Sequence, residues 1–202
     1  MSTPAGPANT VVSKATTLPD ALARLRSLLS EEGGLIATLI DEERSVDGDS
    51  ATGSIGASVE SPAIVAAQGP RAAQQREEYE LLVEAIYEGY LLHYGAPRVL
   101  RPPDDDLRVL AGDRLYAIGL ARLVELGDTL AVAELADTIS LSALAQGAGE
   151  RELADAVWAA GARAVGWGSS KQHGRAKELV ANGAPEAIEA MRTSAQPSPA
   201  SP

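Results

Sequence analysis

Residues 78–128 read EYELLVEAIYEGYLLHYGAPRVLRPPDDDLRVLAGDRLYAIGLARLVELGD, and their pattern decides the fold. Tyr79, Leu82, Val83, Ile86, Tyr90 and His93 recur at spacings of three and four, and the run ends at Gly95 before Pro97. That period predicts an amphipathic helix of about five turns. After a Pro-containing connection, Asp104 or Asp105 can cap a second helix, in which Leu107, Leu110, Leu115, Ile118 and Leu123 lie broadly on one side. Gly127 closes it.

Downstream, Asp128 restarts the chain with Val132, Leu135, Ala136, Ile139 and Ala143, and Gly147 and Gly149 interrupt before Leu153, Ala156, Val157, Ala160 and Ala164. Four helices joined by short connections predict antiparallel neighbours. No strand-like alternation with hairpin turns occurs, so the fold class read from sequence is all-α, an antiparallel helical bundle over residues 70–168. Residues 169–202 read as a loop at GSSKQHG, a minor helix from Pro185, and a disordered tail in QPSPASP.

Upstream, residues 41–69 read as a flexible linker, because the run from Asp41 to Ser61 is dense in Gly, Ser and Asp and has no sustained period. Residues 18–40 read as a short helical segment. Pro19 suits a first turn, Leu22, Leu25, Leu28 and Leu29 form a stripe, and Gly33-Gly34 supplies a stop. Leu35, Ile36, Leu39 and Ile40 continue as a second helical piece. Residues 1–17, rich in Ser, Thr, Pro, Ala and Gly, read as a flexible tail.

The 202 residues are 45% hydrophobic, with two Trp, five Tyr and no Phe, so the core must be built from Ala, Leu, Val and Ile. Small aliphatic cores favour closely packed helices. The net charge of −11 works against nucleic-acid binding, which depends on Lys and Arg displacing counterions from phosphates. The one local basic cluster, Lys171, His173, Arg175 and Lys177, is short. The absence of Cys removes disulfides, thiolate zinc sites and thiol catalysis, and makes the cytoplasm the expected location. The N-terminal MSTPAGPANTVVSKATT lacks a charged leader followed by an apolar run, and nowhere do about 18 apolar residues follow one another. Neither export by a signal peptide nor a membrane span is expected.

Few residues suggest chemistry. Asp104-Asp105-Asp106 resembles a Mg²⁺-binding run, yet three carboxylates between two prolines and an apolar helix suit helix capping better. Gly112-Asp113 inside a helix points to a close helix contact with a polar partner, the alternative being a tolerated Gly beside a solvent-facing Asp. His93 reads as a partly buried residue near a helix C-terminus, and His173 as a member of a polar loop. Ser169-Ser170-Lys171 lacks a base or oxyanion setting, and the Gly-rich run from Gly48 to Ser58 lacks the ending of a phosphate loop. No catalytic residue, metal site or cofactor is therefore expected. The tyrosines, Tyr79, Tyr87, Tyr90, Tyr94 and Tyr116, fall on two consecutive helices and suit an interface as well as a core.

Three elements in order carry a family resemblance: Leu91-Leu92-His93-Tyr94-Gly95, then Leu110-Ala111-Gly112-Asp113-Arg114-Leu115, then Glu125-Leu126-Gly127-Asp128 followed by Leu135-Ala136. The stretch from Tyr79 to about Glu150 resembles trans-polyprenyl diphosphate synthases, especially their small non-catalytic subunits such as component I of heptaprenyl diphosphate synthase. The resemblance implies a truncated isoprenoid synthase fold. Where catalytic members would carry the first Asp-rich motif this chain has Tyr94-Gly95-Ala96-Pro97, and no second such motif follows. Without paired carboxylates to hold Mg²⁺ on an allylic diphosphate, its ionisation lacks electrostatic support.

The expected function is a non-catalytic subunit that binds and regulates or stabilises a catalytic polyprenyl synthase-type partner, or a related isoprenoid or quinone enzyme. The alternative is a helical accessory protein of an unrelated complex. Expected interface residues are Tyr79, Ile86, Tyr87, Tyr90, His93, Tyr94, Leu110, Gly112, Asp113 and Tyr116. Self-association stays open.

Overall fold

A computed structural model of the chain describes residues 18–41 and 61–197. Within them the fold is all-α, with nine helices and no strand. They are α1 Leu18–Glu32, α2 Gly34–Thr38, α3 Pro62–Gln68, α4 Arg76–Tyr94, α5 Asp105–Glu125, α6 Thr129–Gly147, α7 Arg151–Trp167, α8 Lys171–Ala181 and α9 Ala187–Ser194.

The four expected long helices, α4 to α7, form for the expected local reasons. Asp104 caps α5 by accepting from the Leu107 N–H at 2.8 Å, which makes the aspartate run a helix start. Asp128 caps α6 by accepting from Ala131 N–H at 3.0 Å. It also takes the Arg71 guanidinium at 2.7 Å and the Tyr79 hydroxyl proton at 2.5 Å. Burial, then the hydrogen bond to Asp128, pushes the Tyr79 phenol up to about 12. Between the capped helices Gly127 turns with φ 79°, a left-handed value that suits glycine.

Helices α4 and α5 run antiparallel, with Gly89 facing Gly112 and Leu82 facing Gly119, and α6 packs on α7. Three apolar clusters hold the assembly together. The central one joins α3, α4, the end of α5, α6 and α7 through Leu82, Ile86, Leu123, Leu135, Trp158 and Val165. A second sets α1 and α2 on α4 and α5, and a third sets α8 and α9 on α6 and α7. Residues 18–40 are therefore part of the core. Leu25 and Leu29 are fully buried, and burying each contributes roughly 1.5–3 kcal/mol.

Two boundaries differ from the sequence reading. The linker assigned to 41–69 contains α3, whose Ala63, Ala66 and Ala67 are buried, while residues 42–60 lie outside the described residues. Seven residues whose buried positions are all alanine leave almost no periodic signal. The loop assigned to GSSKQHG is the start of α8, with Ser170 accepting from the His173 N–H at 3.0 Å as its cap. The minor helix expected from Pro185 is α9, and the tails at 1–17 and 198–202 lie outside the described residues.

Candidate partner-binding groove

The α4–α5 contact explains the Gly112-Asp113 pair. A Cβ on Gly112 would sit 2.5 Å from His93 Nε2, so only glycine lets the imidazole approach. The His93 ring stacks on Tyr116 at 5.3 Å between centroids and 13° between planes. Its Nε2 lies 3.2 Å from Asp113 Oδ1 without hydrogen-bond geometry, so the close helix contact is made at Gly112 while Asp113 itself faces largely into solvent. The first and second elements of the resemblance thus meet in space, His93 against Gly112 and Asp113.

Of the expected interface residues, Tyr79, Ile86, Tyr90 and Gly112 are buried by contacts within this chain. Tyr87 is half-buried, edge-on to Trp158 at 4.9 Å and beneath the Arg98 guanidinium at 5.2 Å. Tyr90 tilts against the same Trp158, and its hydroxyl accepts from Gln146 Nε2 at 2.6 Å. Tyr116 and His93 are half-buried. These rings form an internal seam between α4, α5 and α7, because helical spacing selects a face without saying which molecule covers it. Burial raises the phenols of Tyr87, Tyr90 and Tyr116, which therefore stay protonated at neutral pH.

Leu110, Asp113 and Tyr94 remain exposed, and Leu110 is the most informative of them, with 60% of its surface open to solvent. It stands on one wall of a groove of about 320 Å³ lined by Leu107 and Ala111 of α5 and by Leu35, Ile36 and Leu39. Ile36, Leu39 and Ala111 are buried beneath it, while Leu35 is as exposed as Leu110. Gly33 and Gly34, with φ of 67° and 62°, make the sharp turn that lays α2 across α5. At one edge Glu32 accepts from Arg114 at 3.0 Å and from Arg122 at 3.2 Å, fastening the end of α1 to α5. The loop after α4 fixes the other side of α2: Asp41 N–H donates to Val99 O at 2.9 Å and Arg101 N–H to Leu39 O at 2.8 Å.

Two polar clusters escaped the sequence reading. Glu80, Glu84 and Glu88 recur every fourth residue on α4 and are buried. Arg24 reaches Glu80 at 3.0 Å, Ser61 donates to Glu84 at 2.9 Å, and Arg98 pairs with both Glu84 and Glu88. In the second cluster His173, expected in a polar loop, is buried with Nε2 2.6 Å from Glu134 and Nδ1 3.1 Å from Ser194 Oγ. The Ser194 hydroxyl also lies 2.9 Å from Met191 O, to which it donates within its own helix turn. Lys177 bridges Glu134 and Asp137. The cluster ties α6, α8 and α9 together; it is a structural cross-link.

Burial pushes the Glu134 carboxyl up, but His173 and Lys177 outweigh it and hold the group below the ordinary carboxylate range. A depressed acid contributes stability above its unfolded value near 4.3, lost as pH falls through its folded value. Glu134→Gln is therefore expected to cost about 1–3 kcal/mol at neutral pH, with the gap to the wild type closing in acid. Denaturant melts of both proteins from neutral pH downward check this; a gap independent of pH would refute the ionic cross-link.

Among the described residues no helix is long and apolar enough to cross a membrane. No family model, curated protein or solved structure matches the chain.

Proposed function

We propose that this chain is a non-catalytic helical subunit that docks on a polyprenyl diphosphate synthase-type enzyme, or a related isoprenoid or quinone enzyme, and stabilises or regulates it. The observation that carries the reading is the groove at Leu110. The residue that opens the Leu-Ala-Gly-Asp element is exposed on an apolar wall, opposite an equally exposed Leu35. Exposed leucines framing a buried apolar floor are what a partner-binding surface requires. The meeting of His93 with Gly112 and Asp113 supports the choice of partner class, because it joins two of the elements on which the resemblance rests.

A second reading, an accessory protein of an unrelated complex, is favoured by one observation: six of the ten residues lining the groove come from the segment 32–39, outside the resemblance. Affinity capture of the tagged chain from its native cells, with a prenyl-transfer assay on the eluate, separates the two. Co-elution of a larger polyprenyl synthase, with activity that the isolated chain lacks, is the expected result. Co-elution of a different complex without prenyl transfer would replace this proposal with the accessory reading.

A further inference from the structure

We infer that the groove between α2 and α5 receives one apolar stripe of an amphipathic partner helix whose flanking residues are Lys or Arg. The inference rests on the reading of this chain as a docking subunit and names the chemistry of what docks.

The first step is the shape of the site. From Leu107 to Arg114 the α5 wall runs about 10 Å, the length of roughly two helical turns. Leu107 and Leu110 stand three residues apart on that wall, and Leu35 faces them from α2. A helix presenting apolar side chains at spacings of three and four matches this register.

The second step concerns the backbone. An extended peptide gains its main-chain hydrogen bonds from a sheet edge, and both walls here are helices whose own ladders use those groups. An occupant that satisfies its backbone internally fits such walls, and a helix does so.

Charge supplies the third step. On α5 the exposed Asp106 and Asp113 lie four residues before and three residues after Leu110, so carboxylates bracket the apolar wall. The cations nearby are engaged within the chain. Arg114 and Arg122 hold Glu32, and Arg108 donates to the carbonyls of Leu92 and Gly95. Arg114, which lines the groove, is matched by Glu32, and Asp113 keeps a largely exposed carboxylate although His93 lies 3.2 Å from it. With Asp106 the balance along the α5 wall is therefore negative, and a second copy with its own net charge of −11 is repelled from it. Lys or Arg beside the apolar stripe complements Asp106 and Asp113.

The test uses the full chain and two fluorescein-labelled synthetic helices of about 16 residues, roughly four turns, with the same leucine stripe. One is flanked by Lys and the other by Glu. In fluorescence anisotropy at low salt the Lys-flanked helix is expected to bind saturably and at least about tenfold more tightly. Leu110→Ala and Leu35→Ala, both at exposed positions, are each expected to weaken it about tenfold while leaving the melting temperature unchanged. Asp106→Asn combined with Asp113→Asn should weaken binding and flatten its salt dependence. Equal binding of the Glu-flanked helix, or wild-type affinity in both leucine variants, overturns the inference. A dimer of the chain alone that Leu110→Ala dissolves would overturn it too, by placing a second copy in the groove. Capture of a synthase by the Leu110→Ala chain would sink the groove inference and leave the subunit reading standing. Groove-dependent binding of the Lys-flanked helix without any captured synthase would do the reverse.

Discussion

Replacing Glu88 by alanine is expected to destabilise the fold by about 3–5 kcal/mol, the cost of removing one partner from a buried ionic network. Glu88 has no solvent exposure. One carboxylate oxygen accepts the backbone N–H groups of Arg98 and Val99 at 2.6 and 2.7 Å, and the other accepts from Arg98 Nε at 3.2 Å. Alanine would strand two backbone donors and deprive Arg98 of one of its carboxylates. Against a total stability of roughly 5–15 kcal/mol for a domain, that loss is large. Glu84 provides the internal control. Burial raises its carboxyl, and the charge of Arg98 and the hydrogen bond from Ser61 pull it back without cancelling the rise. A raised acid disfavours folding as pH climbs through the window above its ordinary value, so Glu84→Gln is expected to cost much less at neutral pH. Urea denaturation of the two variants decides the matter. Comparable, small losses in both would mean that Glu88 does not hold the loop.

The same substitution bears on the groove, because residues 98–101 connect Glu88 to α2. Glu88 holds the N–H groups of Arg98 and Val99, while Val99 O and Arg101 N–H pair with Asp41 and Leu39. The wall that carries Leu35 is therefore positioned by a carboxylate two helices away. Loosening that loop should weaken whatever docks at Leu110, even though Glu88 touches no partner.

What the sequence disclosed follows from how local the causes are. Helices α4 to α7 were legible because their caps, stops and apolar repeats lie within a few residues of one another: Asp104 before Leu107, Asp128 before Ala131, Gly127 between them. Gly112-Asp113 could be recognised as a close contact because glycine beside an acid inside a helix is costly unless something fits there. The carboxylate ladder could not, since Glu at every fourth position ordinarily marks a solvent face, and its partners are distant in the chain. Arg24 is 56 residues from Glu80, and Ser61 is 23 from Glu84. His173 went unrecognised for the same reason, its carboxylate partner Glu134 being 39 residues away. Leu110 and the apolar run Leu35, Ile36, Leu39 and Ile40 were each legible, but that they face one another across a groove was not, because the contacts that bring them together join distant parts of the chain.

Gly69→Ala is expected to be the most damaging of the glycine substitutions, costing about 3 kcal/mol or more, at or beyond the upper end for overpacked sites. A Cβ at Gly69 would meet the Gly166 backbone, at 2.1 Å from its O, 2.2 Å from its C and 2.4 Å from its Cα. Main-chain atoms cannot rotate aside as a side chain can, so the end of α3 and the last turn of α7 would have to part. Gly69 has an ordinary extended φ of −69°, so the penalty is steric and owes nothing to backbone preference. Parting the two helices would open the cluster in which Ala63, Ala66 and Ala72 pack with Ala162 and Val165. Gly112→Ala collides chiefly with the His93 ring, a side chain, and comes no nearer to backbone than 3.1 Å from Gly89 O, so it should cost less. Gly174, inside α8 with nothing within 4 Å of its would-be Cβ, should gain about 0.5–1 kcal/mol as alanine, because glycine loses more chain entropy on folding. Chemical denaturation of the three variants should rank Gly174→Ala above the wild type, then Gly112→Ala, then Gly69→Ala. A Gly69→Ala protein as stable as the wild type would remove the backbone crossing of α3 and α7 from this fold, and with it the reason a seven-residue alanine helix has a place in the core.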